Sequence, residues 1–150
     1  MQILKLNDSF YFQTVKLMRA TDSRLNWSDK QIFECFSGNH LIFGFIENHK
    51  LIAVAIFSYV LDTSELLYIC IDRSIQSKGI AHNLLNQSIV ELKNANINEL
   101  FLEVDAQNIH AISLYKKFSF EQISMRKNYY NYKDGSVGDA LVYKLALGLK

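Results

Sequence analysis

The spacing of apolar residues along the chain predicts an alternation of short strands and helices. Residues 2–6 alternate apolar and polar side chains, which is typical of a half-buried strand. Asp8 or Ser9 then stands where a helix cap is expected, and we predict a helix from there to about Asp22.

A capping box predicts a second short helix. Ser28 and Gln31 have the spacing of this motif just ahead of an apolar stretch, and Trp27 precedes the cap as a hydrophobic staple would. Gly38 follows at a position that suits the end of a helix. We therefore expect a short helix that Gly38 closes.

Three consecutive strands are predicted in the next part of the chain. Two apolar runs within residues 40–59 flank a polar turn at 48–50, which is the pattern of a hairpin. A third strand, residues 65–72, follows the turn residues 62–64. These strands should form an antiparallel meander.

The longest helix is predicted after Gly79, and it should end near Ala95. Its apolar residues recur at helical spacing: Ile80, Leu84, Leu85, Ile89 and Leu92. Residues 99–105 return to a strand. Because a long helix joins this strand to residues 65–72, the two strands can lie parallel with a right-handed crossover.

A last helix and two more strands complete the pattern. Asn108 can cap a helix whose apolar face is formed by Ala111, Leu114, Tyr115 and Phe118. The final third then predicts two strands around the turn dipeptide Asp134-Gly135.

Composition narrows the class of protein. The chain has 150 residues, of which 49% are hydrophobic and 21% charged, and its formal net charge is +1. We expect a single domain over residues 1–150, located in the cytoplasm, and no dedicated binding of DNA or membranes. Cys35 and Cys70 are interpreted as reduced thiols, and the scattered histidines do not have metal-ligand spacing, so no metal is expected.

Four features are candidates for chemistry, and the first is the junction before the longest helix. Residues 76–81 (QSKGIA) would direct free backbone N–H groups and the positive end of the helix dipole at one point, which suits a pyrophosphate. Gly79 would allow that anion to approach closely. The alternative is an ordinary turn between a strand and a helix.

Glu103 and Tyr115 are the second and third candidates. Glu103 interrupts an apolar strand, where it could act as a general base, or it could simply reach solvent or pair with a basic side chain. Tyr115 fits core packing on its helix, yet a phenol with an ordinary pKa of about 10 could also protonate a departing thiolate.

The fourth feature is the interleaving of basic and aromatic side chains in residues 125–132. Such a segment could line a peptide groove or stack on single-stranded RNA. It could equally be a strand whose aromatic residues pack and whose charges face water. The sequence leaves these alternatives open.

Three segments taken together resemble the GNAT superfamily of acetyltransferases in order and spacing. They are residues 76–81, which match its pyrophosphate motif, residues 102–108 (LEVDAQN) and residues 111–120 (AISLYKKFSF). Nearly the whole chain is similar to one branch, the bacterial ribosomal-protein-alanine N-acetyltransferases, in which Trp27-Ser28 and residues 126–130 also have counterparts.

The resemblance implies an α/β (α+β) fold with a mixed central sheet of about seven strands flanked by about four helices. It implies acetyl-coenzyme A as co-substrate, Glu103 as general base and Tyr115 as general acid. Tyr129 and Tyr130 would border the peptide channel. The residues that it implies for cofactor binding are Ile69, Cys70, Ile71, Gln76, Ser77, Lys78, Gly79, Ile80, Ala81, His82 and Asn108.

Three positions depart from the pattern of this family. Ala81 and Ser119 replace frequent glycines, and Asp105 stands where an arginine is frequent, which bears on the acceptor. The resemblance implies that the acceptor is the N-terminal amine of a protein, possibly a small-subunit ribosomal protein. A lysine, a small amine and a non-catalytic module that binds coenzyme A or RNA are the alternatives. We expect a monomer or weak dimer.

Overall fold

A computed structural model describes residues 1–22, 25–76, 78–132 and 134–148. In these residues seven strands form one mixed sheet in the order β1-β2-β3-β4-β5-β7-β6. The strands are β1 Leu4–Lys5, β2 His40–Glu47, β3 Lys50–Val60, β4 Thr63–Ile71, β5 Glu99–Asp105, β6 Glu121–Asn131 and β7 Val137–Ala146. The helices are α1 Tyr11–Thr21, α2 Asp29–Glu34, α3 Ile80–Asn94 and α4 Ile109–Lys117. The predicted mixed sheet with four flanking helices is confirmed.

Strand β3 lies at the centre of the packing because both of its faces are covered. Ala53, Ala55 and Phe57 belong to the core beneath α3 and α4, whereas Val54 and Ile56 belong to the core beneath α1 and α2. Residues 51–57 are all buried, and such a continuous apolar run is what a strand covered on both faces requires.

The predicted meander and its first hairpin are confirmed. β2 and β3 pair antiparallel down to Glu47 opposite Lys50, which leaves Asn48 and His49 as a two-residue turn. Both turn residues have positive φ, 51° and 64°, as the backbone of a tight hairpin turn demands. β4 then pairs antiparallel with β3.

The predicted parallel crossover is also confirmed. β4 and β5 pair in parallel, and α3 connects them. Helix α3 begins at Ile80 and ends at Asn94, with Ala95 as its C-cap. Asn108 caps α4 as predicted, because its side chain accepts a hydrogen bond from the Ala111 N–H at 3.2 Å.

The local predictions near the N-terminus need correction. The first strand covers only Leu4–Lys5 rather than residues 2–6, because β1 pairs with β2 over just these two positions. Neither Asp8 nor Ser9 is the first cap. Asn7 caps a 3-10 turn, accepting the Ser9 N–H at 2.9 Å, and α1 starts only at Tyr11.

The turn before β4 also differs from the prediction. Residues 62–64 were expected to form it, but Val60 pairs with Thr63, so the turn consists of Leu61 and Asp62. Ser64 is buried in the strand, where its hydroxyl donates to the Ser58 carbonyl at 2.7 Å. A short polar side chain that finds such a partner is accommodated inside a sheet.

The second helix ends earlier than predicted. Helix α2 stops at Glu34 with Cys35 as its C-cap rather than at Gly38, because the Cys35 N–H already bonds to the Ile32 carbonyl and tightens the last turn. The capping box of α2 is present: the Gln31 N–H donates to Ser28 Oγ at 3.1 Å, and the Ser28 N–H donates to Gln31 Oε1 at 2.7 Å. β6 and β7 flank the Asp134-Gly135 turn. Among the described residues, no helix is long and apolar enough to cross a membrane.

Candidate active site

A gap opens between β4 and β5 halfway along the two strands. Their pairing runs from Thr63 opposite Glu99 to Leu66 opposite Leu102 and then stops, although both strands continue. Leu67 is an extra residue in β4, since Phe57 pairs with Leu66 and Ile56 pairs with Tyr68. Such a bulge bends a strand and can end its pairing, so it accounts for the parting.

The β4 edge of the gap presents backbone groups that do not pair with β5. The Asp72 N–H donates to the Ile52 carbonyl of β3 at 2.8 Å. Because alternate residues of an antiparallel ladder bond to the same neighbour, the main chain of Cys70 also faces β3, whereas Ile69 and Ile71 face the gap. The backbone of Ile69, Cys70 and Ile71 was expected to face the cofactor. Only Ile69 and Ile71 face the gap. The Ile71 carbonyl accepts the Gln76 amide at 3.0 Å.

The first turn of α3 has no side-chain cap among the residues that the structure describes. Gly79 is the N-cap in a left-handed conformation, with φ of 74°. The space that a Cβ would enter is open for 4 Å. Lys78 is exposed, and the His82 ring stacks on Phe118 with centroids 4.6 Å apart. Ile80 and Ala81 supply amides of this first turn.

Ser77 and Asn108 are the two remaining residues that were predicted to bind the cofactor. Ser77 lies outside the described residues. Asn108 is exposed and already accepts the Ala111 N–H as the cap of α4.

Glu103 lies on β5 next to the point where the strands part. Its side chain is 20% exposed, and Arg126 Nε lies 2.9 Å from Oε2. This oxygen is buried, and among the described residues it accepts no hydrogen bond of regular geometry, so its contact with Arg126 is ionic. The pairing with a basic side chain that the sequence left open is therefore present.

Aromatic side chains border Glu103. The Arg126 guanidinium lies over the Tyr129 ring, 5.2 Å from its centroid, and Tyr129 meets Tyr130 edge to face at 5.3 Å. The Glu103 carboxylate raises the pKa of Tyr129. Burial, followed by the charges of Glu103 and Asp105, raises the pKa of Tyr130 to about 12.

Tyr115 is buried on the core side of α4. It is 5% exposed, and its ring packs edge to face against Phe120 at 5.6 Å. Burial, with a smaller contribution from Tyr130, raises its pKa to about 12. Within the part of the chain that the structure describes, its hydroxyl has no hydrogen-bond partner. Tyr115 is therefore a protonated phenol with its donor uncommitted, near Tyr130.

Asp105 has a partner that its sequence position did not suggest. It accepts a hydrogen bond from the Tyr132 hydroxyl. Gly138 on β7 leaves room for this arrangement, because a Cβ there would lie 3.0 Å from two ring carbons of Tyr132. A carboxylate that replaces the frequent arginine is thus held by a tyrosine.

Glu65 is the residue of this site that sequence reasoning missed. It pairs with Phe101 across the β4–β5 ladder, and side chains two apart on a strand share a face, so Glu65 lies on the Glu103 face. Burial, followed by the Glu103 charge, raises its pKa. The only signal in the sequence was a glutamate inside an otherwise apolar strand, and its meaning depended on the register.

Two surface grooves lie apart from this gap. One follows the face of α4 opposite Tyr115, along Ile109, Ile112, Ser113, Lys116 and Lys117. The other is bordered by Trp27, Gln31, Glu34, Cys35 and His40. Within residues 1–22, 25–76, 78–132 and 134–148, no group of three His, Cys, Asp or Glu side chains is placed to hold a metal ion.

Comparison with known proteins agrees with this geometry. Residues 3–120 match the model of the acetyltransferase (GNAT) family. The chain belongs to this GNAT family. The expected family and its enzyme class, an acetyl-coenzyme A-dependent N-acetyltransferase, are therefore confirmed.

Named relatives refine the comparison. The [ribosomal protein bS18]-alanine N-acetyltransferase of Escherichia coli (strain K12) is 35% identical over 123 residues, which are 82% of each chain. The crystal structure of the ribosomal-protein-S18-alanine N-acetyltransferase from Escherichia coli is similar, with a TM-score of 0.92 and 30% identity, over 99% of this GNAT chain and 95% of that chain. NAA60 of Arabidopsis thaliana, solved in complex with acetyl-CoA, shares the fold at 16% identity, with a TM-score of 0.82 over 97% of both chains.

Proposed function

We propose that this GNAT chain transfers the acetyl group of acetyl-coenzyme A to the N-terminal α-amino group of a protein. The observation that supports the proposal best is the parting of β4 and β5 beyond Leu66 and Leu102, with Glu103 beside the opening. The relatives named for alanine N-acetylation of ribosomal protein bS18 make an alanine-starting ribosomal protein the preferred acceptor.

The co-substrate would lie along the gap and across the start of α3. Ile69 and Ile71 offer backbone groups at the β4 edge, which suit the amides of the pantetheine arm. The uncapped amides after Gly79 and the positive end of the α3 dipole suit the pyrophosphate. Lys78 adds a positive charge beside that turn.

Glu103 is proposed to remove the proton of the acceptor amine, through a water molecule. An α-amino group has an ordinary pKa of about 8, compared with about 10.4 for a lysine side chain, so the N-terminal amine loses its proton more readily. The neutral nitrogen attacks the thioester carbonyl carbon, and a C–N bond forms. Arg126 would hold the Glu103 carboxylate in place meanwhile.

Tyr115 is proposed to protonate the leaving sulfur. As the C–S bond breaks, the electron pair passes to sulfur, and the Tyr115 phenol supplies the proton that completes the thiol. Because burial raises its pKa to about 12, Tyr115 holds its proton at neutral pH until a thiolate develops. After the C–N bond forms, the nitrogen loses its second proton, which restores the Tyr115 phenol through solvent, and Glu103 releases the first proton to solvent. The products are an N-acetylated chain, free coenzyme A and one proton.

An acetylation assay with intact-mass detection tests this proposal. The protein is incubated with acetyl-coenzyme A and three peptides: one that starts with a free alanine and lacks lysine, its N-acetylated form carrying one lysine, and a peptide with a different first residue. We expect one acetyl group on the alanine-starting peptide and none on the blocked one. Acetylation of the blocked peptide alone would instead support a lysine acceptor.

A matched pair of variants tests the proposed base. Glu103→Gln should lower kcat by about 100-fold, in the range of general base catalysis, while the Kd for acetyl-coenzyme A from calorimetry stays within about twofold. Glu99→Gln is the control, since Glu99 lies on the same strand and face but is paired with Lys144 at its other end. Full turnover in Glu103→Gln would remove Glu103 from the mechanism.

A further inference from the structure

Tyr68 is the first residue of β4 after the bulge, where this strand has already parted from β5. It pairs with Ile56 of β3, whose side chain belongs to the core beneath α1 and α2. Glu65 pairs with Ser58, which lies two residues from Ile56 and therefore on the same face of β3. Tyr68 thus shares the face of the sheet that carries Glu65 and Glu103.

The side chain of Tyr68 joins the end of α1 to the start of α2. Its hydroxyl donates a hydrogen bond to Asp22 Oδ2 at 3.2 Å, and Asp22 is the C-cap of α1. Its ring packs against Trp27, the residue before the Ser28 cap of α2, with the ring centroids 5.6 Å apart. Burial, followed by Cys70 and Asp22, raises the pKa of Tyr68, so the hydroxyl keeps the proton that it donates.

A second contact from the same end of β4 reaches α1. The Arg73 guanidinium donates a hydrogen bond to the Thr21 carbonyl at 3.2 Å, one residue before Asp22. The buried side chains of Leu17 and Met18 also hold α1 against the sheet. These contacts keep α1 anchored when the Tyr68 hydroxyl is removed, so we expect variants of this hydroxyl to remain folded.

Tyr68 and Trp27 stand on one side of Glu103, and Tyr129 stands on the other. In the strand order, β5 with Glu103 lies between β4 on one side and β7 and β6 on the other. Tyr129 lies beside Arg126, which reaches Glu103 across β7 on the same face. An acceptor amine that approaches Glu103 on this face therefore has aromatic side chains on its two sides.

From this arrangement we infer that Tyr68 is a positioning residue, which holds Trp27 as the β4-side border of the acceptor site. The inference rests on the proposed function and adds to it a residue outside the cofactor and proton-transfer groups. Tyr68 acts through Asp22 and Trp27 rather than on the reacting atoms. A border that is fixed before the acceptor arrives reduces the ordering that binding must impose, so the effect should fall on KM for the acceptor rather than on kcat.

Peptide kinetics test this inference with a matched pair of variants. Tyr68→Phe removes the bond to Asp22 and keeps the ring, whereas Tyr59→Phe is the control, since Tyr59 packs against the core beneath α3 and α4. With an alanine-starting peptide, Tyr68→Phe should raise KM by about tenfold, as for the loss of one hydrogen bond to a charged group. Both kcat and the Kd for acetyl-coenzyme A should stay within about twofold of the wild type. Tyr59→Phe should leave all three unchanged.

The fluorescence of Trp27 provides a second readout, because this residue is the only tryptophan of the chain. Acrylamide quenching of its emission should increase in Tyr68→Phe and keep the wild-type value in Tyr59→Phe. Asp22→Ala removes the same hydrogen bond from its other end and should also raise KM. Because the two changes remove one shared contact, Tyr68→Phe should add little to KM in the Asp22→Ala background.

The possible outcomes separate this role from others. An unchanged KM in Tyr68→Phe, with an active wild type, would overturn the inference and leave the proposed function intact. A lower kcat and a lower Tm at unchanged KM would overturn it in favour of a structural role. Markedly weaker binding of acetyl-coenzyme A would assign Tyr68 to the cofactor instead. A wild type that acetylates no peptide would contradict the proposed function and the inference together.

Discussion

Arg126 on the edge strand β6 forms an ion pair with Glu103 on β5, with 2.9 Å between Nε and Oε2. The two strands are not neighbours, because β7 lies between them. Arg126 pairs with Ala140 of β7, and Glu103 pairs with Val142 of the same strand. The Arg126 side chain therefore crosses β7 to reach the carboxylate. An arginine of the edge strand β6 therefore holds the carboxylate of the proposed general base in place.

Removal of Arg126 should lower turnover. Arg126→Gln deprives the Glu103 carboxylate of the side chain that holds it in place. We expect kcat to fall by about tenfold, because a misplaced base removes the proton less efficiently, while the Kd for acetyl-coenzyme A stays within about twofold. Lys127→Gln, which removes the adjacent exposed charge, should leave kcat unchanged. Equal kcat in Arg126→Gln and the wild type would contradict the positioning role of the ion pair.

Tyr115→Phe should reduce turnover without unfolding the protein. The phenol is proposed to protonate the leaving thiolate, so kcat should fall by about 100-fold. Its hydroxyl bonds to no other described residue, so we expect a change in the free energy of unfolding below about 1 kcal/mol. Tyr143→Phe, at a buried tyrosine of β7, serves as the control and should retain activity. Equal kcat in the wild type and Tyr115→Phe would rule out the acid role.

The Tyr115 phenol also predicts a limit of stability at high pH. Its pKa in the folded chain is about 12, above the ordinary value of about 10. The folded state therefore keeps its full advantage below pH 10 and loses it as the pH rises toward 12, where an unfolded chain ionises first. Chemical denaturation between pH 9 and about 11.5 should show a steeper decline for the wild type than for Tyr115→Phe.

Gly79 and Gly38 provide a matched test of the start of α3. Both have positive φ, 74° and 65°, and both have open space where a Cβ would lie. Gly79→Ala and Gly38→Ala should therefore each cost about 1 kcal/mol of stability from backbone strain. Only Gly79→Ala should also weaken acetyl-coenzyme A binding, by about tenfold or more, because its methyl group enters the proposed phosphate site. Equal affinities in both variants would place the pyrophosphate elsewhere.

Gly138 and Tyr132 should behave as a coupled pair. Gly138→Ala places a methyl group 3.0 Å from two Tyr132 ring carbons, so the ring must move and its bond to Asp105 is lost. We expect a loss of roughly 1–2 kcal/mol by thermal denaturation. In a Tyr132→Ala background the same change should cost much less, since the obstructing ring is absent. Additive losses would contradict the contact.

Local patterns were sufficient for most of the secondary structure. The 3.6-residue spacing after Gly79 predicted α3, and a capping box predicted α2, because these signals depend on residues within one or two turns. The first cap was predicted wrongly because such local signals do not choose among neighbouring candidates. Asn7, Asp8 and Ser9 are all good caps, and only the path of the chain from β1 favours Asn7.

The residues of the candidate site also differ in whether the sequence alone could reveal them. Glu103 and Tyr115 could be singled out in the sequence because a carboxylate inside an apolar strand and a family motif are both local. Glu65 could not, because its closeness to Glu103 depends on the parallel register in which Glu65 faces Phe101. The partner of Asp105 was likewise hidden, since Tyr132 is 27 residues away along the chain.

By itself, the sequence determined the helices, the strands, the family and the chemical types available for catalysis, since periodicity, caps and motifs are properties of neighbouring residues. Only the tertiary structure decided which charges meet. The bulge at Leu67 opens the sheet, and the strand order sets Arg126 against Glu103, whereas no basic side chain of the described residues forms an ion pair with Glu65. The interaction energy of two charges depends on the distance between them, and the strand register and strand order set that distance.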